Sequence, residues 1–189
     1  MSGAYRRLAL AAVFGLGLGA CASESDPDLG ESQPTEKVGQ IARPEHPLQC
    51  VPYARQHSGV LIFGDAYTWW DRAAGRFERN TAPKQGAVMV LWGYAGPNRA
   101  HVAVVRELVN TREIKVDHAN WLDDGQIYLD DPVQDVSADN DWSQVRIWNI
   151  RASAWGSRTY TVKGFIGPGP EGGAPKSPVY GSRPVISMN

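Results

Sequence analysis

Residues 101–121, HVAVVRELVNTREIKVDHANW, carry the pattern on which the fold turns. His101-Val102-Ala103-Val104-Val105 is apolar on both faces, which predicts a central strand over His101–Leu108. The next stretch alternates. Ile114, Val116, His118 and Asn120 share one face of a strand over Ile114–Trp121, and Glu113, Lys115 and Asp117 share the other. The apolar members mark the even-numbered face as the buried one, so Asp117 is expected to point away.

Working outward, Ala87–Trp92, Val145–Arg151 and Tyr160–Ile166 also read as strands. Upstream lie two helical stretches. Cys50-Val51-Pro52-Tyr53-Ala54-Arg55-Gln56 has its proline in the first turn, where the missing N–H costs little. Asp65 to Ala73 has Asp65 as a candidate N-cap and Gly75 as a stop. Helices first and antiparallel strands after predict an α+β domain, with N-terminal helices packed on an antiparallel sheet.

The 189 residues allow one such domain plus appendages. Lys and Arg number 19 against 20 Asp and Glu, so nothing favours electrostatic capture of nucleic acid. The two cysteines, Cys21 and Cys50, cannot build a disulfide framework or a cysteine zinc site. His57, His101 and His118 show no close ligand spacing, so neither a metal nor a cofactor is expected.

Residues 1–20 combine Arg6 and Arg7 with the apolar run LALAAVFGLGLGA. This is the layout of a secretory signal, and the run is shorter than the roughly 20 residues of a membrane span. Its end, Leu18-Gly19-Ala20-Cys21, resembles the lipobox of bacterial lipoproteins. That resemblance implies lipidation at Cys21 and an envelope location, at the periplasmic face of a Gram-negative outer membrane. Residues 21–47 are acid-rich and proline-punctuated and read as a tether; 48–166 read as the domain, and 167–189 as a Gly/Pro-rich tail.

Cys50 stands at the start of a helix, where unpaired N–H groups favour a thiolate. His101, preceded by the loop Gly96-Pro97-Asn98, is the candidate base, and Asn120 or His118 the group that orients it. Tyr53, Trp69, Trp70 and Trp121 are candidates for substrate contact, with core packing as their default. His57 reads as a charge at a helix C-terminus.

Leu48-Gln49-Cys50-Val51-Pro52-Tyr53-Ala54-Arg55, Gly64-Asp65-Ala66, Pro83-x-x-Gly86-Ala87-Val88, His101-Val102-Ala103-Val104-Val105 and Asn120-Trp121 resemble, in that order, the CHAP domain. CHAP domains are cysteine, histidine-dependent amidohydrolases or peptidases with a papain-like fold. The resemblance implies Cys50 as nucleophile, His101 as base and Asn120 as the first-ranked orienting group. His118 ranks second, because it stands where the family usually has glutamate, and Asp117 a distant third. Cys50's own N–H is the expected oxyanion donor, with Tyr53 and His118 as candidates for a second. The substrate implied is the peptide part of peptidoglycan, and the stretch before Cys50 lacks acidic calcium ligands. Two rivals stand beside this: a non-catalytic peptidoglycan-binding lipoprotein, and an amidase acting on a small glutamyl or polyamine conjugate. Oligomeric state is not legible.

Overall fold

The computed structural model describes residues 39–169. The signal segment, Cys21, most of the tether and the tail beyond residue 169 lie outside the described residues.

In chain order the described elements are β1 (Gln40–Ala42), α1 (Cys50–Ser58), a 3-10 turn (Ala66–Thr68), α2 (Trp69–Ala73), β2 (Arg79–Asn80), β3 (Val88–Trp92), β4 (Ala100–Asn110), β5 (Glu113–Ala119), β6 (Ile127–Asp135), β7 (Gln144–Asn149), β8 (Ala154–Trp155) and β9 (Tyr160–Ile166). Strands β6, β5, β4, β3, β9 and β7 pair in that order, and β7 returns to pair with β6. All these pairings are antiparallel, so six strands close a barrel. The expected antiparallel sheet is present. The expected α+β balance is corrected to a mostly β fold with two short helices.

One missing strand explains the difference. In β6, Asp130-Asp131-Pro132 interrupts any alternation, and Pro132 brings no N–H to the ladder. That sequence does not read as a strand, yet its pairing with β7 is what closes the sheet.

The barrel interior is filled by Met89, Leu91, Ala103, Val105, Ile114, Val116 and Phe165. On the outside, Tyr53, Ala54 and Trp69 pack with Val60 and Ile62 over Val88, Val90, Val102 and Val104. Strand β4 therefore meets apolar groups on both faces, as its run of valines requires. The alternation in β5 is only half realised. Ile114, Val116 and His118 are buried, but so is Asp117, because α1 covers the other face. Asp117 accepts a hydrogen bond from Tyr53 Oη at 3.4 Å and pairs with Arg106 Nε at 3.0 Å.

The domain begins earlier than Leu48. Strand β1 lies within the stretch read as tether and pairs with β6, Ile41 opposite Tyr128. Ile41 and Ala42 are the apolar pair in that acid-rich segment, and both are partly buried against the cores.

Gly164 sits at a bulge between β3 and β9 with φ +146°. An added Cβ would stand 2.4 Å from the Trp70 ring and 2.8 Å from the Asn80 carbonyl oxygen. Gly164→Ala is therefore expected to cost roughly 3 kcal/mol, overpacking adding to backbone strain. A urea unfolding curve checks it; an unchanged midpoint would show that Trp70 yields freely.

Candidate active site

Cys50 opens α1 and is half-buried, with its thiol free. Its neighbours include the backbone of Val102, the residue after His101 on β4. Burial pushes the thiol up from its ordinary range; the N–H groups of Val102, Val51 and Cys50 and the Arg99 guanidinium pull the other way. The net direction corrects the expectation that the helix start alone favours a thiolate.

His101 is the second residue of β4 and is 2% exposed. Its Nε2 lies 2.8 Å from Nδ1 of His118, on β5. His118 is fully buried, and its Nε2 lies 3.0 Å from Oδ2 of Asp131, on β6. Burial holds the His101 imidazole well below its usual range, with His118 adding to the effect. His118 is pushed down to about 3 by burial, against the opposing pull of Asp124. Both rings are therefore neutral at physiological pH. The Trp121 ring stands edge-on to His101 at 5.0 Å between centroids, and Tyr94 lies 5.1 Å away. The Tyr94 hydroxyl donates to the Trp121 carbonyl, tying this aromatic cover together.

Asn120 does not take the place ranked first for it. Its Nδ2 donates to Gln49 Oε1 at 2.9 Å and to Asp123 Oδ1 at 3.2 Å, and its Oδ1 accepts from Gly125 N at 2.7 Å. With φ +60°, Asn120 shapes the turn after β5 and joins it to the residue before Cys50. Strand parity gave both His118 and Asn120 the inward face, but β5 ends at Ala119. Beyond that point parity no longer applies. Asp117 faces α1, as parity implied.

A cavity of about 540 Å³ opens at Cys50, with Gln49, Asp65, Tyr67, Asn98 and Arg99 in its wall. None of the four aromatic residues nominated for substrate contact lines it. Tyr53 is buried, stacked on His57 at 4.2 Å. Trp69 is fully buried and donates its Nε1–H to the Gly64 carbonyl. Trp70 packs on Gly164, and Trp121 covers the two histidines. Asp65 sits at the helix start without a side-chain capping bond, which leaves its carboxylate for the cavity. Sequence reasoning named Asp65 only as a helix cap and within the family pattern, and it passed over Tyr67, Arg99 and Asp131. The loop leading into a candidate base was the available signal for Arg99, since such a loop must cross the rim of any cleft.

No curated protein and no solved structure was found to match the chain. Residues 41–120, which include Cys50, His101, His118 and Asn120, match the family model of the CHAP domain, whose members are typically hydrolases acting on peptidoglycan.

Proposed function

We propose that this chain is a cysteine-dependent amidase or endopeptidase that cuts amide bonds in the peptide part of peptidoglycan. Cys50 is the nucleophile, His101 the base and His118 the group that orients the base. The observation that carries this reading is the 2.8 Å contact of His101 Nε2 with His118, between two buried rings one residue along β4 from Ala100, which lines the Cys50 cavity. With Nε2 engaged, only Nδ1 of His101 is left to serve the thiol.

The raised thiol and lowered imidazoles favour a neutral resting pair, so the proton moves as the sulfur attacks. Attack of Cys50 Sγ on the amide carbonyl forms a tetrahedral oxyanion, which the Cys50 N–H at the helix start is placed to receive. The His101 imidazolium then protonates the leaving amine, a thioester remains, and water releases the acid. Arg99 and Asp65, opposite in charge, suit a peptide carrying both carboxylate and ammonium groups.

The raised thiol is also the one observation on the side of a non-catalytic binding module. Alkylation of Cys50 by iodoacetamide at pH 7, read by peptide mapping, separates the two. Loss of base assistance predicts a fall of roughly 100-fold in His101→Ala, a similar fall in His118→Ala and a smaller one in Asn120→Ala. Equal rates in wild type and His101→Ala would favour the binding module. A larger effect of Asn120 than of His118 would restore the ranking expected from the family pattern.

Residues 1–20 are read as a signal segment and Cys21 as the lipid-bearing residue, holding the domain at the periplasmic face of an outer membrane. Cys21→Ser is expected to shift the protein from the membrane to the soluble fraction while sacculus digestion persists. Membrane association that survives the substitution would overturn the lipidation.

A further inference from the structure

Asp131 is a buried carboxylate that the mechanism above does not use. It sits in the barrel interior, and its Oδ1 has no hydrogen-bond partner. As a purely structural contact with a neutral ring this is a poor arrangement, because an unsatisfied buried carboxylate oxygen costs more than an apolar side chain of similar volume. Local backbone geometry nonetheless delivers it. Val116 of β5 pairs with Asp131 and His118 with Tyr128, so Leu129 and Asp130 of β6 stand against the single residue Asp117. This is a bulge, and bulges re-aim side chains. Asp130 takes φ +50° there, and its N–H is held by Asp117 Oδ1 at 2.8 Å. The residue aimed inward by it is Asp131.

We propose that Asp131 is a positioning residue that decides, through His118, which nitrogen of His101 is free to accept the Cys50 proton; this rests on the hydrolase reading above. A neutral imidazole has one N–H and one lone pair. Both nitrogens of His118 are engaged, Nε2 by Asp131 and Nδ1 by His101. When Asp131 is ionised it can only accept, so His118 donates from Nε2 and accepts at Nδ1. His101 must then donate from Nε2, which leaves its lone pair on Nδ1, facing the thiol's side of the pair. A side chain that donates to His118 from position 131, as an amide with its N–H₂ turned inward does, reverses both bonds and puts a proton on His101 Nδ1, where it blocks base action. No proton travels along the chain of three: the thiol proton stays on His101 until the amine takes it. The carboxylate also lies two bonds behind the imidazolium that forms, and stabilises its charge.

The same logic links the relay to acid. Burial pushes the Asp131 carboxyl well up, so protonation of Asp131 reverses the relay at a pH above the ordinary carboxylate range. The other titratable or charged groups facing this pair are His101 from β4 and Tyr128 from β6, with Asp124, held by Arg151 at 2.6 Å, acting on His118 through space.

The test uses the full chain labelled with ¹⁵N and reads histidine tautomers by NMR, with His46→Gln and His57→Gln for assignment. In wild type above the acid limb, His101 and His118 are both expected to carry the proton on Nε2. In Asp131→Asn both are expected to carry it on Nδ1, with Cys50 alkylation and sacculus digestion slowed by roughly 100-fold and the acid limb of the pH profile gone. In Asp131→Ala, added formate is expected to restore part of the rate. A wild-type His118 protonated on Nδ1 overturns the proposal, even if neither variant folds. Folded Asp131→Ala that keeps wild-type tautomers and, without formate, the wild-type rate overturns it too. If His101→Ala also leaves alkylation unchanged, the hydrolase reading itself has failed. If only Asp131→Ala is silent, the relay alone has failed.

Discussion

Cys50→Ala is expected to end the release of peptide fragments from purified sacculi, with a fall of roughly 10⁴- to 10⁶-fold in rate. The proposed route has no detour. His101 is held through Nε2 as a neutral ring, and in the proposed mechanism its remaining nitrogen serves the sulfur rather than a water. Without the sulfur no thioester forms, and only the weak assistance of the cavity's N–H groups and charges remains. Mass spectrometry of the new termini gives the readout, with thermal unfolding as a control for folding. The side chain lost is small and half-buried, so stability should change by less than about 2 kcal/mol. Fragment release by Cys50→Ala at more than a hundredth of the wild-type rate would remove the cysteine from the chemistry.

Mild acid is expected to unfold the domain, and the histidine pair is the reason. His118 is pushed down to about 3 in the folded state by burial, against about 6.5 when exposed. Between these values the unfolded chain binds more protons than the folded one, so stability rises with pH. The stabilisation is complete above about pH 6.5 and is lost as pH falls toward 3. For His118 alone the loss amounts to about 5 kcal/mol, and His101, shifted the same way, adds to it. Asp131, raised by burial, works in the opposite direction and offsets part of the loss. A total stability of about 5–15 kcal/mol leaves little margin for a term of this size. Urea unfolding at pH 7, 6, 5 and 4 reads the slope. His118→Phe, which removes the ring's proton site but keeps the aromatic bulk, should flatten it. An equal slope in that variant would assign the acid lability to other groups.

Much of the candidate site was legible because it follows local patterns. The run of valines after His101 specifies a central strand, and a histidine at its start lies at the end of that strand, next to the loop that enters it. The proline in the first turn of α1 and Gly59, in the left-handed region at its end with φ +69°, delimit the helix that begins at Cys50. The parts that were not legible depend on contacts between strands distant in sequence. Asp131 reaches His118 only because β6 bulges against β5, and no window of sequence around Asp-Asp-Pro displays that register. Closure of the barrel rests on the same strand, so the sequence pattern suggested a layered sheet instead. The aromatic residues misled for a general reason. A tryptophan is as good a filler of a core as it is a platform for substrate, and Trp69 and Trp70 are used here to hold α2 against the barrel.

Strand β1 alters how far the proposed enzyme can work. Gln40 is paired into the sheet and Gly39 is buried beside it, so on the proposed anchoring the link between Cys21 and the domain can include residues 22–38 at most. A chain of that length spans at most about 60 Å. If Cys21 carries the proposed lipid, a domain leashed there would reach and graze only the layer of wall nearest its membrane. Lengthening the leash by inserted residues should widen the grazed zone in proportion to reach, with the chemistry at Cys50 unchanged.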